Sequence, residues 1–257
     1  MRIAVDGIYF GLIAPRGADD LIALTQEVGA DGLNWPYHPD YGSDEAAATA
    51  QRLAEAGLAV VSLAFPQHVS GLPGAEEQFR SAFATCAADA HLFGTTVIDC
   101  WPARPAEVSK EAAQATLAGN LDAVVPVARD NGVVISFEFE PEATIERFAE
   151  AQAFLAPWRP TTRLTADTYH IIRIGDDLAE AGARIGADIG VIHFSASHRG
   201  EPGSEGDKCD YVAFLKGALA AGFQGDIVLQ YAPPEDVVGS LKRAVKLTRE
   251  VVEECGG

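Results

Sequence analysis

The sequence predicts a single (β/α)8 barrel, the α/β fold in which eight parallel strands alternate with eight helices. Short apolar runs alternate with longer Ala-, Leu- and Glu-rich segments along the whole chain. A length of 257 residues suits one such barrel. No linker, low-complexity segment or block of like charge interrupts the pattern. We therefore expect a single domain over residues 1–257.

Eight short apolar runs provide the strand predictions. Runs of this length, separated by longer helical segments, are typical of parallel strands in α/β proteins. In chain order, the predicted strands cover residues 2–6, 31–35, 58–64, 95–99, 133–138, 162–167, 189–194 and 225–230.

The helix predictions rest on apolar residues at i, i+3 and i+4 in the intervening segments. Residues 43–45 and 175–177 have the composition of helix starts. Four glycines, placed after a helical run and before a strand, suit left-handed helix ends; they are Gly57, Gly94, Gly132 and Gly222. The predicted helices cover residues 18–29, 44–56, 74–93, 107–131, 143–155, 176–186, 209–222 and 235–253.

An open, doubly wound sheet is the main alternative to the barrel. Two features weigh against it. The strand count of eight is the number that closes a barrel. The first predicted strand is not followed by the GxGxxG pattern of dinucleotide-binding sheets.

The charge balance bears on the partners of the protein. There are 37 acidic and 19 Lys or Arg residues, which give a formal net charge of −18. Such a surface repels phosphate backbones and anionic membranes, so we expect neither nucleic acid nor a membrane as a partner. No apolar stretch reaches the roughly 20 residues of a membrane-spanning helix.

Cysteine usage indicates the redox compartment. The four cysteines form no CxxC pair and are too few for a disulfide scaffold in a chain of this length. The first residues enter a strand-like run without the apolar core of a signal peptide. We therefore expect reduced thiols and a cytoplasmic location.

Three successive predicted strands end in residues that can bind a metal ion. Glu138 ends the fifth strand, Asp167 the sixth, and His193 lies at the end of the seventh. The carboxyl ends of barrel strands form the rim where active sites are built. Two carboxylates and an imidazole are a suitable ligand set for a divalent cation, so these residues predict a metal site.

Three further residues extend this candidate site. Glu140 shares a strand face with Glu138, and is interpreted as a ligand, a base or a substrate contact, or as a solvent-facing loop residue. His170 follows Asp167 by about one helical turn and could support the metal site or face the substrate. Gln230 ends the eighth predicted strand; its amide oxygen can bind a hard cation, but it cannot act as a general base.

Aromatic and imidazole groups follow other predicted strands. Trp35 stands after strand two, His68 after strand three and Trp101 after strand four. The longest polar connection, residues 195–208, follows strand seven. Long connections on the catalytic rim usually have a function. Aromatic faces with scattered polar groups favour a small polyhydroxy or cyclic ligand.

The ordered set of motifs resembles the xylose isomerase-like superfamily of TIM barrels, the sugar isomerase/epimerase group, over nearly the whole chain. Residues 137–141, Phe-Glu-Phe-Glu-Pro, are similar to its strand-five glutamate motif. Residues 167–170, Asp-Thr-Tyr-His, closely match its Asp-x-x-His motif. His193, with Arg199 and the Pro-Gly pair at 202–203, resembles its strand-seven motif and loop.

The resemblance implies one divalent metal ion, Mn, Mg, Co or Zn, bound by Glu138, Asp167 and His193. It also implies that Arg199 contacts the substrate, and it implies a homo-oligomer, because relatives are often dimers or tetramers. Members of the group usually end strand eight with a glutamate that is both a fourth ligand and half of an acid/base pair. Gln230 stands at that position and could still be a ligand, but one face of the site has lost its base.

We therefore predict a metal-dependent isomerase or epimerase of a sugar, keto-sugar or inositol-type substrate. The proton next to a metal-polarised carbonyl would be moved by Glu138, Glu140 or His170. The predicted substrate contacts are Arg199, His170, Trp35, His68 and Trp101.

Three alternatives stay open at this point. A lyase or dehydratase acting on a related keto-sugar or cyclic hydroxy-ketone needs only one base, which suits the amide at position 230. A phosphodiester enzyme, also found in this superfamily, conflicts with the net charge of −18. A non-catalytic binding protein or subunit with a degenerate site would also explain Gln230.

Overall fold

Eight parallel strands close into a barrel in the computed structural model, which describes residues 1–12, 17–38, 40, 42–65 and 69–256. The strands follow one another around the barrel in chain order, and the eighth pairs with the first. Helices surround them. The predicted (β/α)8 barrel is confirmed.

The strands lie close to the predicted positions, with ends that differ by up to two residues. Gln230 follows the eighth strand directly instead of ending it. The strands are β1 Ile3–Asp6, β2 Gly32–Pro36, β3 Ala59–Phe65, β4 Val97–Cys100, β5 Val134–Glu138, β6 Thr162–Asp167, β7 Ile189–Phe194 and β8 Ile227–Leu229.

Each predicted helix is present, and several are shorter than predicted at their amino ends. Short 3-10 turns at Ala156–Trp158 and Gly186–Asp188 lead into β6 and β7. The described α-helices are α1 Gly7–Leu12, α2 Ala18–Val28, α3 Ser43–Glu55, α4 Glu76–Asp89, α5 Lys110–Asp130, α6 Phe148–Leu155, α7 Thr168–Arg173, α8 Leu178–Ile185, α9 Tyr211–Ala220 and α10 Val237–Glu254.

Two of these helices, α1 and α7, are absent from the sequence prediction. Each follows a strand that ends in aspartate, and that aspartate caps the helix. Asp6 accepts a hydrogen bond from the Tyr9 amide at 2.7 Å, and Asp167 from the Tyr169 amide at 2.8 Å. Helices of six residues are too short to show a periodic pattern in the sequence.

The barrel wall separates two kinds of packing. Outward-facing strand residues join the helices in the main hydrophobic core, whereas Ala4, Val61, Val191 and Val228 form a small separate cluster. Buried polar side chains join neighbouring strands, as where Ser62 donates to Asn34 at 2.8 Å.

The four glycines predicted at helix ends, Gly57, Gly94, Gly132 and Gly222, all have left-handed backbone angles, with φ between 66° and 104°.

Two global expectations can be compared with the structure. Within the described ranges, no helix is both long enough and apolar enough to cross a lipid bilayer. All four cysteines are free thiols, and two of them, Cys86 and Cys100, are buried.

Candidate active site

A cavity of about 470 Å³ opens at the carboxyl ends of the strands. Residues from the strand ends and from the loops beyond them line it, among them Tyr9, Asp99, Trp101, Glu140 and Arg199. This is the rim on which the sequence predicted a site, and a volume of this size suits a small organic ligand.

A cluster of carboxylates and imidazoles forms one wall of the cavity. Glu138, Asp167 and His170 each present a potential ligand atom, and these atoms lie within 4.8 Å of one another. His170 Nε2 lies 3.0 Å from a carboxylate oxygen of Glu140 and 3.6 Å from Glu138 Oε1. The structure therefore brings together two predicted pairs, Glu138 with Glu140 after strand five and Asp167 with His170 after strand six.

His193, predicted as the third ligand, lies in β7 beside this cluster, but the group of ligand atoms within 4.8 Å of one another contains His170 in its place. The Nδ1 atom of His193 lies 3.6 Å from Glu138 Oε1, and its Nε2 atom lies 3.2 Å from Asp99 Oδ2. Burial alone would lower the pKa of this imidazole, but the charges of Asp99 and Glu138 raise the pKa well above its usual value. Asp99 is held in turn by the Thr165 hydroxyl, which donates to it at 2.6 Å.

The chemistry of these groups fits a divalent cation. Glu138 Oε1 is buried and, among the described residues, has no hydrogen-bond partner. Imidazole nitrogens of His170 and His193 each face it at 3.6 Å, beyond normal hydrogen-bond reach. A buried carboxylate oxygen without a partner is costly, and a metal ion held by carboxylate and imidazole donors would satisfy it.

Arg199 occupies the cavity next to this wall. One arm of its guanidinium ion-pairs with Asp167, and the other donates to Tyr9 Oη and Gln230 Oε1, both at 2.9 Å. It also lies over the rings of Tyr9 and Tyr169, at 5.0 and 5.1 Å from their centroids. Although burial opposes both effects, the ion pair lowers the pKa of Asp167 and raises the pKa of Arg199.

The loop after β7 holds Arg199 in an unusual backbone conformation. Its φ of 66° lies in the left-handed region, which non-glycine residues rarely adopt. Asp207 anchors the same loop, because its carboxylate accepts hydrogen bonds from the Ser197 amide at 2.9 Å, the Gly203 amide at 2.8 Å and the Tyr211 hydroxyl at 2.7 Å. The long polar loop therefore holds Arg199 at a position where the residue lines the cavity.

Gln230 lines the cavity at the predicted rim, but both polar atoms of its amide already form hydrogen bonds. The nitrogen donates to Asp6 Oδ2 at 3.2 Å, while the oxygen accepts from Arg199. The amide oxygen predicted as a fourth metal ligand is therefore committed to a guanidinium in this structure.

Glu140 and Trp101 meet at the mouth of the cavity. The Trp101 side chain hydrogen-bonds Glu140 and is 38% exposed. Burial raises the pKa of Glu140, and the nearby charge of Glu138 raises it further, although His170 opposes this effect. A carboxylate whose pKa is raised is a better proton acceptor than an ordinary glutamate.

Two predicted substrate contacts, Trp35 and His68, are not supported by the described residues of the cavity. Trp35 is 2% exposed and packs in the hydrophobic core. Neighbouring strand residues point to opposite faces, so with Asn34 lining the cavity Trp35 turns towards the helices. The structure therefore does not support a substrate contact for Trp35. His68 lies outside the described residues.

Among the described residues, those of the site that sequence reasoning missed include Asp6, Asp99 and Tyr9. Asp6 ends β1, and Asp99 is the last but one residue of β4, so the rule that selected Glu138 and Asp167 could have found both. Tyr9 could not have been found in this way, because it reaches the cavity from α1.

Comparison with known proteins agrees with the fold. A family model described as xylose isomerase-like TIM barrel matches residues 22–250. No curated protein matches the sequence.

Solved structures with similar folds include three at low sequence identity. A 3-keto-D-glucoside 4-epimerase from E. coli has a TM-score of 0.82 at 18% identity, with 97% of this chain and 99% of that chain covered. An L-ribulose 3-epimerase has a TM-score of 0.83 at 20% identity, covering 99% and 95%. An AP endonuclease of family 2 from Brucella melitensis has a TM-score of 0.81 at 16% identity, covering 95% and 98%. At these identities the likeness is one of fold.

Proposed function

Because the chain belongs to the xylose isomerase-like TIM barrel family, we propose that it is an isomerase or epimerase of a sugar, keto-sugar or inositol-type substrate. The observation that carries the proposal is the contact of His170 with Glu140 and Glu138 beside Asp167, all in one cavity on the catalytic rim. Such a cluster can accept a proton from carbon and return it.

Glu138, Asp167 and His193 would hold a divalent ion in this enzyme. When bound, the ion supplies a Lewis acid for a carbonyl oxygen. Asp99 would support His193 as a metal ligand. Its carboxylate faces the Nε2 atom of His193 at 3.2 Å and so can orient the ring, leaving Nδ1 for the ion. Carboxylate and imidazole donors suit Mn, Mg, Co and Zn alike.

Glu140 is the proposed base. It lies at the mouth of the cavity, its pKa is raised by burial, and its carboxylate touches His170. His170 can pass a proton to or from this carboxylate without leaving its place in α7. Trp101 lies beside the pair, because its side chain hydrogen-bonds Glu140.

Arg199 is the proposed anchor for substrate oxygen atoms. Among the described residues that line the cavity, two are arginines. Arg199 is partly buried, whereas Arg173 is exposed. The rings of Tyr9 and Tyr169 confine the guanidinium, so its free N–H groups point in fixed directions. Fixed donors of this kind select hydroxyl and carbonyl groups of a polyhydroxy ligand.

Elimination is the second candidate reaction, and Gln230 favours it. A two-base epimerisation requires a proton acceptor on each side of the reacting carbon, and a primary amide cannot fill that role. A lyase acting on a keto-sugar or cyclic hydroxy-ketone needs one base and one acid, which Glu140 and His170 provide.

A nucleic-acid substrate is not part of the proposal, although one structural neighbour is an endonuclease. The chain has a formal net charge of −18, and the candidate site is itself a cluster of carboxylates. Both features oppose the approach of a polyanion.

Solvent-deuterium uptake tests the proposed function. The protein, loaded with Mn²⁺, is incubated in D₂O with D-allulose, D-tagatose, L-ribulose and an inosose, and the products are followed by mass spectrometry and chromatography. Isomerisation or epimerisation is expected to add one deuterium at a carbon next to the carbonyl, whereas elimination removes the mass of water. Metal-loaded protein that leaves every ketone unlabelled and unchanged would contradict the proposal.

A further inference from the structure

We propose that Asp6 is a positioning residue that sets the orientation of the Gln230 amide and thereby holds Arg199 in the cavity. Only the role of Arg199 in substrate binding rests on the proposed function. The contacts among Asp6, Gln230 and Arg199 exist in the free protein and can be tested there.

Asp6 is completely buried at the end of β1 and is surrounded by hydrogen-bond donors. Oδ1 accepts from the Tyr9 amide at 2.7 Å, and Oδ2 accepts from Asn34 Nδ2 at 3.0 Å and Gln230 Nε2 at 3.2 Å. An ionised carboxylate can only accept hydrogen bonds. Each amide that faces it must therefore present its NH2 group.

This requirement determines which way the Gln230 amide points. With the nitrogen on Asp6, the oxygen faces Arg199 Nη2 at 2.9 Å and accepts a hydrogen bond from it. The opposite orientation would place an NH2 group against the guanidinium, donor against donor. The same carboxylate orients Asn34, whose NH2 group donates to it, and the Ser62 hydroxyl, which can donate or accept, follows by donating to the Asn34 oxygen at 2.8 Å.

Asp6 also holds the second acceptor of the same guanidinium arm. Arg199 Nη2 donates to Tyr9 Oη as well as to Gln230, and the backbone amide of Tyr9 is bound to Asp6. One buried carboxylate thus fixes both residues that receive this arm, while Asp167 receives the other. The side of the cavity formed by β8 and β1 consequently presents an amide, a phenol and a guanidinium, and the Asp6 carboxylate behind them is occupied by donors.

The arrangement predicts a specific exchange between positions 6 and 230. A glutamate at position 230 would place a second carboxylate about 3 Å from Asp6 Oδ2 in a buried site, where like charges repel. An asparagine at position 6 would turn an NH2 group towards the amides that now donate to it. In the double variant, the amide at position 6 donates and the carboxylate at position 230 accepts, so a donor again faces an acceptor. The carboxylate then lies beside Arg199.

A double-mutant cycle tests this prediction by thermal denaturation of the metal-free protein at neutral pH. Asp6→Asn and Gln230→Glu are each expected to lower Tm. The double variant Asp6→Asn/Gln230→Glu is expected to lie closer to wild type than the sum of the two single effects. Gln224→Glu, which adds the same charge at an exposed amide, is the control and should leave Tm nearly unchanged. Additive losses would overturn the proposal.

The NMR signals of the Arg199 guanidinium test positioning separately from stability. A guanidinium with both arms bound rotates slowly, so its Nη–H protons should give resolved signals, which Arg199→Lys assigns by removing them. These signals are expected in wild type and in the double variant and should broaden or vanish in Asp6→Asn. If Asp6→Asn does not fold, Asp6→Ala, which removes the carboxylate that receives the Gln230 amide, takes its place and should have the same effect. Unchanged Arg199 signals in the variant that folds would refute a positioning role, whatever the outcome of the sugar screen.

Discussion

His170 Nε2 lies 3.0 Å from the Glu140 carboxylate, although the two residues belong to different βα units. Glu140 lies just beyond β5, and His170 lies in α7 just beyond β6. The parallel pairing of these strands, with Glu138 opposite Thr165, brings the two segments side by side. The contact joins a carboxylate whose pKa is raised to a group that can relay its proton, and it is the centre of the proposed chemistry.

Replacement of Glu140 should abolish proton transfer without unfolding the protein. Glu140→Gln keeps the shape and the capacity to hydrogen-bond Trp101 but cannot accept a proton. Deuterium uptake into a reactive ketose should fall by about 10²–10⁴-fold, the usual contribution of a general base. Glu235→Gln, at an exposed glutamate after β8, is the control and should retain wild-type uptake. Full uptake by Glu140→Gln would move the base to another residue.

Trp101 should report ligand binding directly. Its indole is 38% exposed, lines the cavity and hydrogen-bonds Glu140, so a ligand entering the mouth must change its surroundings. We expect saturable quenching or enhancement of tryptophan fluorescence on titration with a bound ketose. The response should be lost in Trp101→Phe and kept in Trp158→Phe, because Trp158 lies before β6 at the opposite end of the barrel wall. The same response in both variants would contradict this placement of the ligand.

A divalent ion should bind the cluster and stabilise the fold. Protein purified without chelator is expected to contain about one ion per chain by elemental analysis. At an ion concentration of about 100 Kd, the linked stabilisation is about 2.7 kcal/mol, or roughly 5–10 °C in Tm. Glu138→Gln and Asp167→Asn should lose both the ion and the shift, whereas Glu235→Gln should keep them. A protein that takes up neither Mn, Mg, Co nor Zn would remove the metal from the proposal.

The guanidinium of Arg199 should not be replaceable by an ammonium group. Lysine keeps the charge but cannot bind Asp167 with one arm while donating to Tyr9 and Gln230 with the other. Loss of one charge-assisted hydrogen bond of about 1.5–3 kcal/mol predicts a roughly 10- to 150-fold lower kcat/KM for Arg199→Lys. Arg243→Lys, at an exposed ion pair with Glu201, is the matched control and should change it little. Equal kinetics for the two variants would remove Arg199 from the substrate site.

Asp207 should make the stability of the protein depend on acid pH. Its backbone and hydroxyl donors lower its pKa in the folded state although burial opposes them, so its stabilisation is complete above the unfolded pKa of about 3.9. That stabilisation is lost as the pH falls towards the lower pKa of the folded state. Asp207→Asn should therefore lower Tm by about 2–4 °C at pH 7, as expected for about 1 kcal/mol. The difference should shrink near pH 3, and a difference independent of pH would contradict the anchoring role.

The barrel and most of the candidate site could be predicted from local sequence patterns. Glu138, Asp167 and His193 were selected because each follows a short apolar run, and in a parallel barrel all such positions meet at one rim. His170 and Glu140 followed from spacing within a turn or a strand. The same rule applied to Asp6 and Asp99 would have added both residues, because each ends a predicted strand.

The fold and the set of strand-end residues follow from local sequence, because short-range hydrophobic periodicity specifies the alternation of strands and helices. Which atoms face one another depends on how distant segments pack. Trp35 packs outward because Asn34 points inward, and the Gln230 amide is oriented by Asp6, 224 residues away in the chain. The direction of a hydrogen bond is set by both partners, and partners so distant in sequence are brought together only by closure of the barrel between β8 and β1.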